Sequence, residues 1–249
     1  MVLPLLRPTV FDAFPEVVAA FSTRAGGVSR PPFDSLNTGF TTGDDEAAVR
    51  ENRRRLLDAI GFAPDALATV GQVHGADVAT VTEPGHTEEH DALVTDRRGL
   101  VLGIPVADCG AVLLADPEAH VIGACHAGWR GTVGGIPILT VEAMQKLGAL
   151  PERIRAYVSP CIGPGDFEVG PEVARQFDDE HVLAVAEKPK PHVDLSGAIV
   201  TQLLRTGIPE AHIEAVADST FDTERFFSYR AEGGTTGRMM GLIGLRSNG

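Results

Sequence analysis

Apolar positions in this chain fall in short blocks separated by turn residues, and the block lengths sort into two kinds. Runs of four to seven residues at 17–22, 67–73, 78–81, 92–95, 100–106, 111–115 and 120–125 read as strands, and further ones follow at 154–158, 213–216, 226–229 and 239–245. Three longer segments carry apolar residues at helical spacing. From about Asp44 to Ile60, Val49, Leu56 and Ile60 share one face, with Gly61 and Pro64 as stop signals. A second runs from about Ile136 to Leu147, with Pro137 tolerated in its first turn and Gly148 ending it. The third spans Asp194 to Thr206, with Asp194 placed to cap it and Gly207 to stop it, and a shorter helix follows Pro171.

Strands outnumber helices, and pairs such as 100–106 and 111–115 are too close for a helical crossover. The expected class is therefore α+β: mixed or antiparallel sheets with helices packed outside, in a layered α-β-β-α sandwich. No linker-like shift in composition, fixed-period repeat or low-complexity tract interrupts residues 1–249, which read as a single domain.

Composition then removes several classes of function. A formal net charge of −13, with Arg53-Arg54-Arg55 as the longest basic run, argues against nucleic acid or an anionic membrane as partner. That triplet sits among acidic residues on the first helix and reads as a solvated face. The segment 1–15 is broken by Pro4, Pro8 and Asp12 and does not read as a signal peptide. The uncharged run 131–141 is far short of the ~20 residues that span a bilayer. Three cysteines, an odd number, argue against a disulfide framework and for a reducing, cytoplasmic setting.

Chemistry concentrates where strand 120–125 gives way to a Gly-rich segment. Cys125-His126-Ala127-Gly128-Trp129-Arg130-Gly131 holds the only tryptophan of the chain, a histidine and an arginine at one strand-to-helix junction. Gln72-Val73-His74-Gly75 and Ala107-Asp108-Cys109-Gly110 lie at two other strand ends. His74, Cys109 and His126 together offer two imidazoles and a thiolate, a donor set suited to zinc with a fourth position open. The spacings match no local zinc-finger pattern, so any convergence has to come from the fold. Taken singly, His74 reads equally as a loop histidine and Cys109 as a small buried apolar side chain. Cys125 and His126, adjacent on a strand, should face opposite ways, which sends Cys125 to the core. Cys161 lies in a Gly/Pro-rich turn and reads as an inert thiol. His86 and His90 lack the metalloprotease pattern and follow a Pro-Gly turn, which points to a surface loop.

The blocks QVHG (72–75), DALVT (91–95), ADC (107–109) and HAGWRG (126–131) resemble those of the YfiH-like laccase-domain family. The likeness extends from Phe21–Gly27 and Ser35-Leu36-Asn37 to Arg225–Arg230 and Thr236-Gly237-Arg238. It implies zinc, with copper as a possible substitute, held by His74, Cys109 and His126. It also implies an enzyme of purine nucleosides that forms a free base and ribose 1-phosphate and deaminates adenosine. On that reading Arg130 and Arg24 are candidates to grip phosphate, Asn37 is a polar contact for the substrate, and Trp129 a base-stacking surface. The partners are then a small-molecule nucleoside and phosphate. Three rivals stay open: a Cys109–His126–His74 thiol amidase acting on cell-wall precursors, a copper-dependent polyphenol oxidase, and a non-enzymatic zinc-binding module. The chain departs from the family pattern at Gly110, Ser159 and Ser219, the last standing where many relatives carry cysteine.

Overall fold

The computed structural model describes residues 3–186 and 188–247. Two six-stranded sheets form its centre. In the first the order is β1 (Leu5–Leu6), β2 (Val17–Ser22), β14 (Met239–Leu245), β7 (Val101–Val106), β3 (Leu67–Val70) and β5 (Gly85–Thr87). In the second it is β13 (Ile213–Ala215), β10 (Arg155–Val158), β8 (Gly110–Asp116), β9 (Val121–Ala127), β6 (Ala92–Thr95) and β4 (Val78–Thr80). A separate ribbon pairs β11 (Val182–Leu183) with β12 (His192–Val193). Both large sheets are mixed, with parallel pairs such as β3–β7 and β4–β6 among antiparallel ones.

Three apolar cores follow from the period-2 alternation of strand side chains. Phe21, Ile104, Leu113, Ile122, Tyr157 and Ile243 point inward and fill the space between the sheets. On the outer face of the second sheet Val112, Leu114 and Cys125 pack under α3 (Ile136–Lys146) and α5 (Leu195–Arg205). On the outer face of the first, Val18, Ala20, Val101 and Leu242 pack under α1 (Glu46–Ile60). The layers are thus α-β-β-α, as expected. Because β7, β8, β9 and β14 are buried on both faces, they read in sequence as near-continuous apolar runs, broken only by Asp116 at the end of β8 and His126 in β9. Asp45 caps α1 by accepting from Ala47 N, Asp194 caps α5 by accepting from Gly197 N, and Gly61 ends α1 at φ 78°. Two short helices, α2 (Trp129–Val133) and α4 (Pro171–Ala174), complete the set.

Several expectations change. The run 226–229 is no strand: Phe226 and Phe227 are buried anchors of an irregular loop whose polar groups are met by side chains. The strand expected at 67–73 stops at Val70, since Gln72 and His74 adopt φ of 53° and 59°. His86 lies in the edge strand β5, not a loop. The arginine triplet is not simply solvated: Arg53 donates to Thr38 O at 2.8 Å and covers the Phe40 ring, while Arg55 reaches Gly26 O. The short link between β7 and β8 does not join neighbours in one sheet. It carries the chain from the first sheet to the second, and that crossing places Cys109.

Candidate metal centre and its cavity

The sandwich is open at the end where β3 hands over to β4 and β7 to β8. His126 stands on the inward face of β9, where Ala111 is its cross-strand partner and Gly110 pairs with Ala127. Cys109 immediately precedes β8, and His74 lies in the loop that crosses between sheets after β3. One donor atom from each of His74, Cys109 and His126 lies within 4.8 Å of the others, and the two imidazoles meet edge to face at 4.9 Å. The structure thus brings together the three residues that sequence spacing could not connect.

Asp91 organises this cluster, and reading the sequence gave it no role. Wholly buried at the start of β6, it accepts from the backbone N–H groups of Val73 (3.1 Å), His74 (3.1 Å) and Gly75 (2.7 Å). Its Oδ1 lies 2.8 Å from Nδ1 of His126. One carboxylate therefore fixes the His74 loop and turns His126 so that Nε2 faces the cluster, the arrangement that steadies a metal-bound imidazole. Its donors lie 16 to 18 residues before it and 35 after, so no local motif could reveal the role.

The electrostatics are those of a site built for a cation. Burial alone would push the Cys109 thiol up, but the charge of His126 and the contacts of both imidazoles outweigh it and bring it down to about 6. Burial would lower His126, yet Cys109 and Asp91 raise it to about 9. Asp91 is held below its ordinary value, because bonds from His126 and Gly75 exceed the cost of its burial. Cys125 and Cys161 behave oppositely: burial pushes each up to about 12, so neither offers a thiolate.

The donor chemistry fits a metal, and so does the space. A Cβ on Gly128 would sit 2.9 Å from Cys109 Sγ and 3.4 Å from a His74 ring carbon. One on Gly131 would meet Gly75 O at 2.9 Å. The glycines of HAGWRG thus let α2 start against the cluster and let the His74 loop lie against α2. Three non-glycine residues with positive φ, Gln72, His74 and Asp108, crowd the same region. Such local strain concentrates at functional sites. The cluster floors a cavity of about 470 Å³, whose walls include Trp129, Phe167, Tyr229, Arg230 and Arg238.

The other candidates lie elsewhere. Arg24 does not line the cavity. It donates to Thr223 O at 2.6 Å, pairs with Glu232 at 3.2 Å and covers the Phe227 ring at 4.7 Å, so it fastens the loop behind the site. Asn37 is wholly buried, with its amide spent on Thr42, Asp44, Gly39 N and Arg238 N. Arg130 is exposed and stacks on Trp129 at 4.4 Å, outside the lining. None of Arg24, Asn37 and Arg130, expected to grip phosphate or touch substrate, lines this cavity. Only Trp129 of that group faces the cavity.

The three departures from the family pattern serve packing. A Cβ on Gly110 would lie 2.9 Å from Ile199 Cδ1, so α5 occupies that space. Ser159 Oγ accepts from Ala111 N at 2.9 Å. Ser219 Oγ donates to Asp166 at 2.7 Å and accepts from Gly163 N at 3.1 Å, tying two turns together.

Comparison with known proteins gives a consistent set of relatives. A purine nucleoside phosphorylase from Deinococcus radiodurans is 47% identical over 247 residues, 98% of this chain and 93% of its own. The purine nucleoside phosphorylase YfiH of Escherichia coli is 40% identical over 234 residues, 92% of this chain and 94% of its own. Among solved structures, YlmD from Geobacillus stearothermophilus superposes with a TM-score of 0.90 at 34% identity, over 98% of this chain and 96% of that one. The sequence model of the multi-copper polyphenol oxidoreductase laccase family matches residues 18–246. By that match and by its relatives, the chain belongs to the multi-copper polyphenol oxidoreductase laccase family.

Proposed function

We propose that this protein is a zinc-dependent enzyme of purine nucleosides. It cleaves adenosine and inosine with phosphate to free base and ribose 1-phosphate, cleaves methylthioadenosine in the same manner to adenine and 5-methylthioribose 1-phosphate, and deaminates adenosine by hydrolysis. The observation that carries this reading is the His74–Cys109–His126 cluster at the floor of a nucleoside-sized cavity. The names of relatives at 40–47% identity support it. When bound, zinc supplies Lewis-acid chemistry at the position its three ligands leave open.

The residues of the chain do the rest. Asp91 holds the His126 tautomer through Nδ1. Trp129, Phe167 and Tyr229 offer apolar faces for a purine ring, and Arg130 stacked on Trp129 keeps that indole in place. Among the described residues the cluster has three members and no fourth protein donor, which favours a reacting site over a closed structural one. A phenol-oxidising copper centre is less favoured: the sequence has no His-x-His pair, and among the described residues no methionine lines the cavity.

The test is to incubate the zinc-loaded protein with inosine or adenosine, with and without phosphate, and to separate the products. Phosphate-dependent release of hypoxanthine or adenine, lost in Cys109→Ala, is the expected result. Inosine formed from adenosine without phosphate establishes the deaminase. No turnover of either nucleoside overturns the reading. One observation favours a second: with Cys109 lowered and His126 raised, the metal-free pair is a thiolate beside an imidazolium, as a thiol amidase of cell-wall precursors requires. Stripping the metal would activate that enzyme and silence the nucleoside one.

A further inference from the structure

The cavity takes its walls from both sheets. Cys109 and His126 belong to the second, His74 lies in the loop between the two, and the segment entering β14 of the first contributes Arg238. This arginine is mounted with care. Its backbone N–H donates to Asn37 Oδ1 at 2.9 Å, and its carbonyl accepts from Thr38 N at 3.0 Å and Thr38 Oγ1 at 2.8 Å. Gly39 leaves room for it, since a Cβ there would lie 2.7 Å from Arg238 Cγ. Nη1 donates to the carbonyls of Thr236 (2.9 Å) and Gly237 (2.8 Å), and the guanidinium lies 5.6 Å from the Tyr229 ring centre.

Among the described residues Arg238 is not held by a direct ion pair. Burial works against its charged form, and Cys109 and Asp108 support that charge only from a distance. Asp108, which also lines the cavity, is already committed. It accepts from the hydroxyls of Thr220 and Ser228 and from Arg230 N, each at 2.7 Å. Arg230, whose guanidinium donates to Glu168 O at 2.9 Å, also lines the cavity without an ion pair among the described residues. In a chain of net charge −13, two guanidinium groups converge on one cavity with no direct ion pair among the described residues, beside a carboxylate whose oxygens are already filled by hydrogen bonds.

We propose that Arg238, with Arg230 as second contact, is the phosphate subsite of this cavity and binds the oxyanion co-substrate through its guanidinium fork. The inference rests on the phosphorolysis reading. In that reaction a phosphate oxygen gives an electron pair to ribose C1′, and the C1′–N9 bond breaks with its pair passing to the base. The base takes up a proton and ribose 1-phosphate leaves. The Asn37–Thr38–Gly39 loop acts through Arg238 and is a positioning element.

Inorganic phosphate titrated into the zinc-loaded protein, followed calorimetrically, tests this without reference to turnover. Arg238→Ala should weaken phosphate binding and raise the KM for phosphate by roughly 10- to 100-fold, with the KM for inosine within about twofold. Arg238→Lys, which keeps the charge and loses the fork, should fall between, and Arg230→Gln should give a smaller effect of the same kind. Should Arg238→Ala fail to fold, the latter two carry the test. Phosphate affinity unchanged in Arg238→Lys and Arg230→Gln overturns the proposal, as does an equal rise in both KM values with a lowered Tm. Phosphate bound through Arg238 without any release of base leaves the subsite standing and removes phosphorolysis. Phosphorolysis with a phosphate KM indifferent to all three variants does the reverse.

Discussion

Two buried aspartates mark the two ends of the second sheet, and they are built alike. Asp91 takes three backbone N–H groups and one side-chain nitrogen, that of His126. Asp116, at the far end of β8, takes the N–H groups of Glu118, Ala119 and Leu150 and two guanidinium nitrogens of Arg153 at 3.0 and 2.8 Å. Both are fully inaccessible. The difference lies in the side-chain partner. Arg153 has no other chemistry to offer, so that end is a clasp holding the turn after β8 to the end of α3. His126 has a second ring nitrogen, and the same clasp there becomes the footing of the His74–Cys109–His126 cluster. A fold can thus turn a stabilising device into a functional one by changing which cation the carboxylate meets.

The sharpest way to break the comparison is to remove each carboxylate in turn. Asp91→Ala leaves three amides and an imidazole unpaired, and should cost on the order of 3–5 kcal/mol in urea unfolding together with nearly all bound metal. Asp116→Ala should cost about 3 kcal/mol by the same measure, with metal content per chain unchanged. If Asp116→Ala also empties the site, the two ends are coupled and the contrast fails. The Asp116 contribution has a defined pH window. Burial alone would raise its pKa, but the amides and Arg153 lower it, so the stabilisation is fully present above the unfolded carboxylate value of about 3.9 and is lost as pH falls through the lowered folded one. The stability gap between wild type and Asp116→Ala should therefore close in acid, and a gap that persists there would assign the effect to packing.

Finer probes sharpen the metal end. Gly128→Ala presses a methyl group against Cys109 and should weaken metal affinity by roughly tenfold or more, read by competition with a chromogenic chelator, while the fold survives. Cys125→Ala, one residue from His126 on the opposite face, should cost about 1 kcal/mol and leave metal binding as it is.

How much of this was legible beforehand depended on whether the cause was local. The apolar blocks located the main strands to within a few residues, and Gly61, Gly148 and Asp194 marked helix ends correctly, because each acts on its own neighbourhood. The adjacency of Cys125 and His126 was enough to separate core from site. The failures were non-local. Phe226 and Phe227 looked like strand because they are apolar, but their loop owes its shape to Asp108 and Arg24 from distant parts of the chain. Arg24 and Arg130 looked like anion grips from the glycines near them, whereas Arg238 was seen only as part of the Thr236-Gly237-Arg238 block and given no role, since nothing within its own segment says that it faces the cavity.

The crossing of the chain from β7 to β8 has a consequence for how this protein can be tuned. His126 and Cys109 travel with one sheet, and Arg238 with the other. Between the sheets lies mainly the non-directional packing of side chains such as Leu113 and Ile104. The thickness of the sandwich is therefore the ruler that sets the span from the His74–Cys109–His126 cluster to the arginine, and a trimmed or enlarged residue deep in that layer would recalibrate the width of the cavity from a distance.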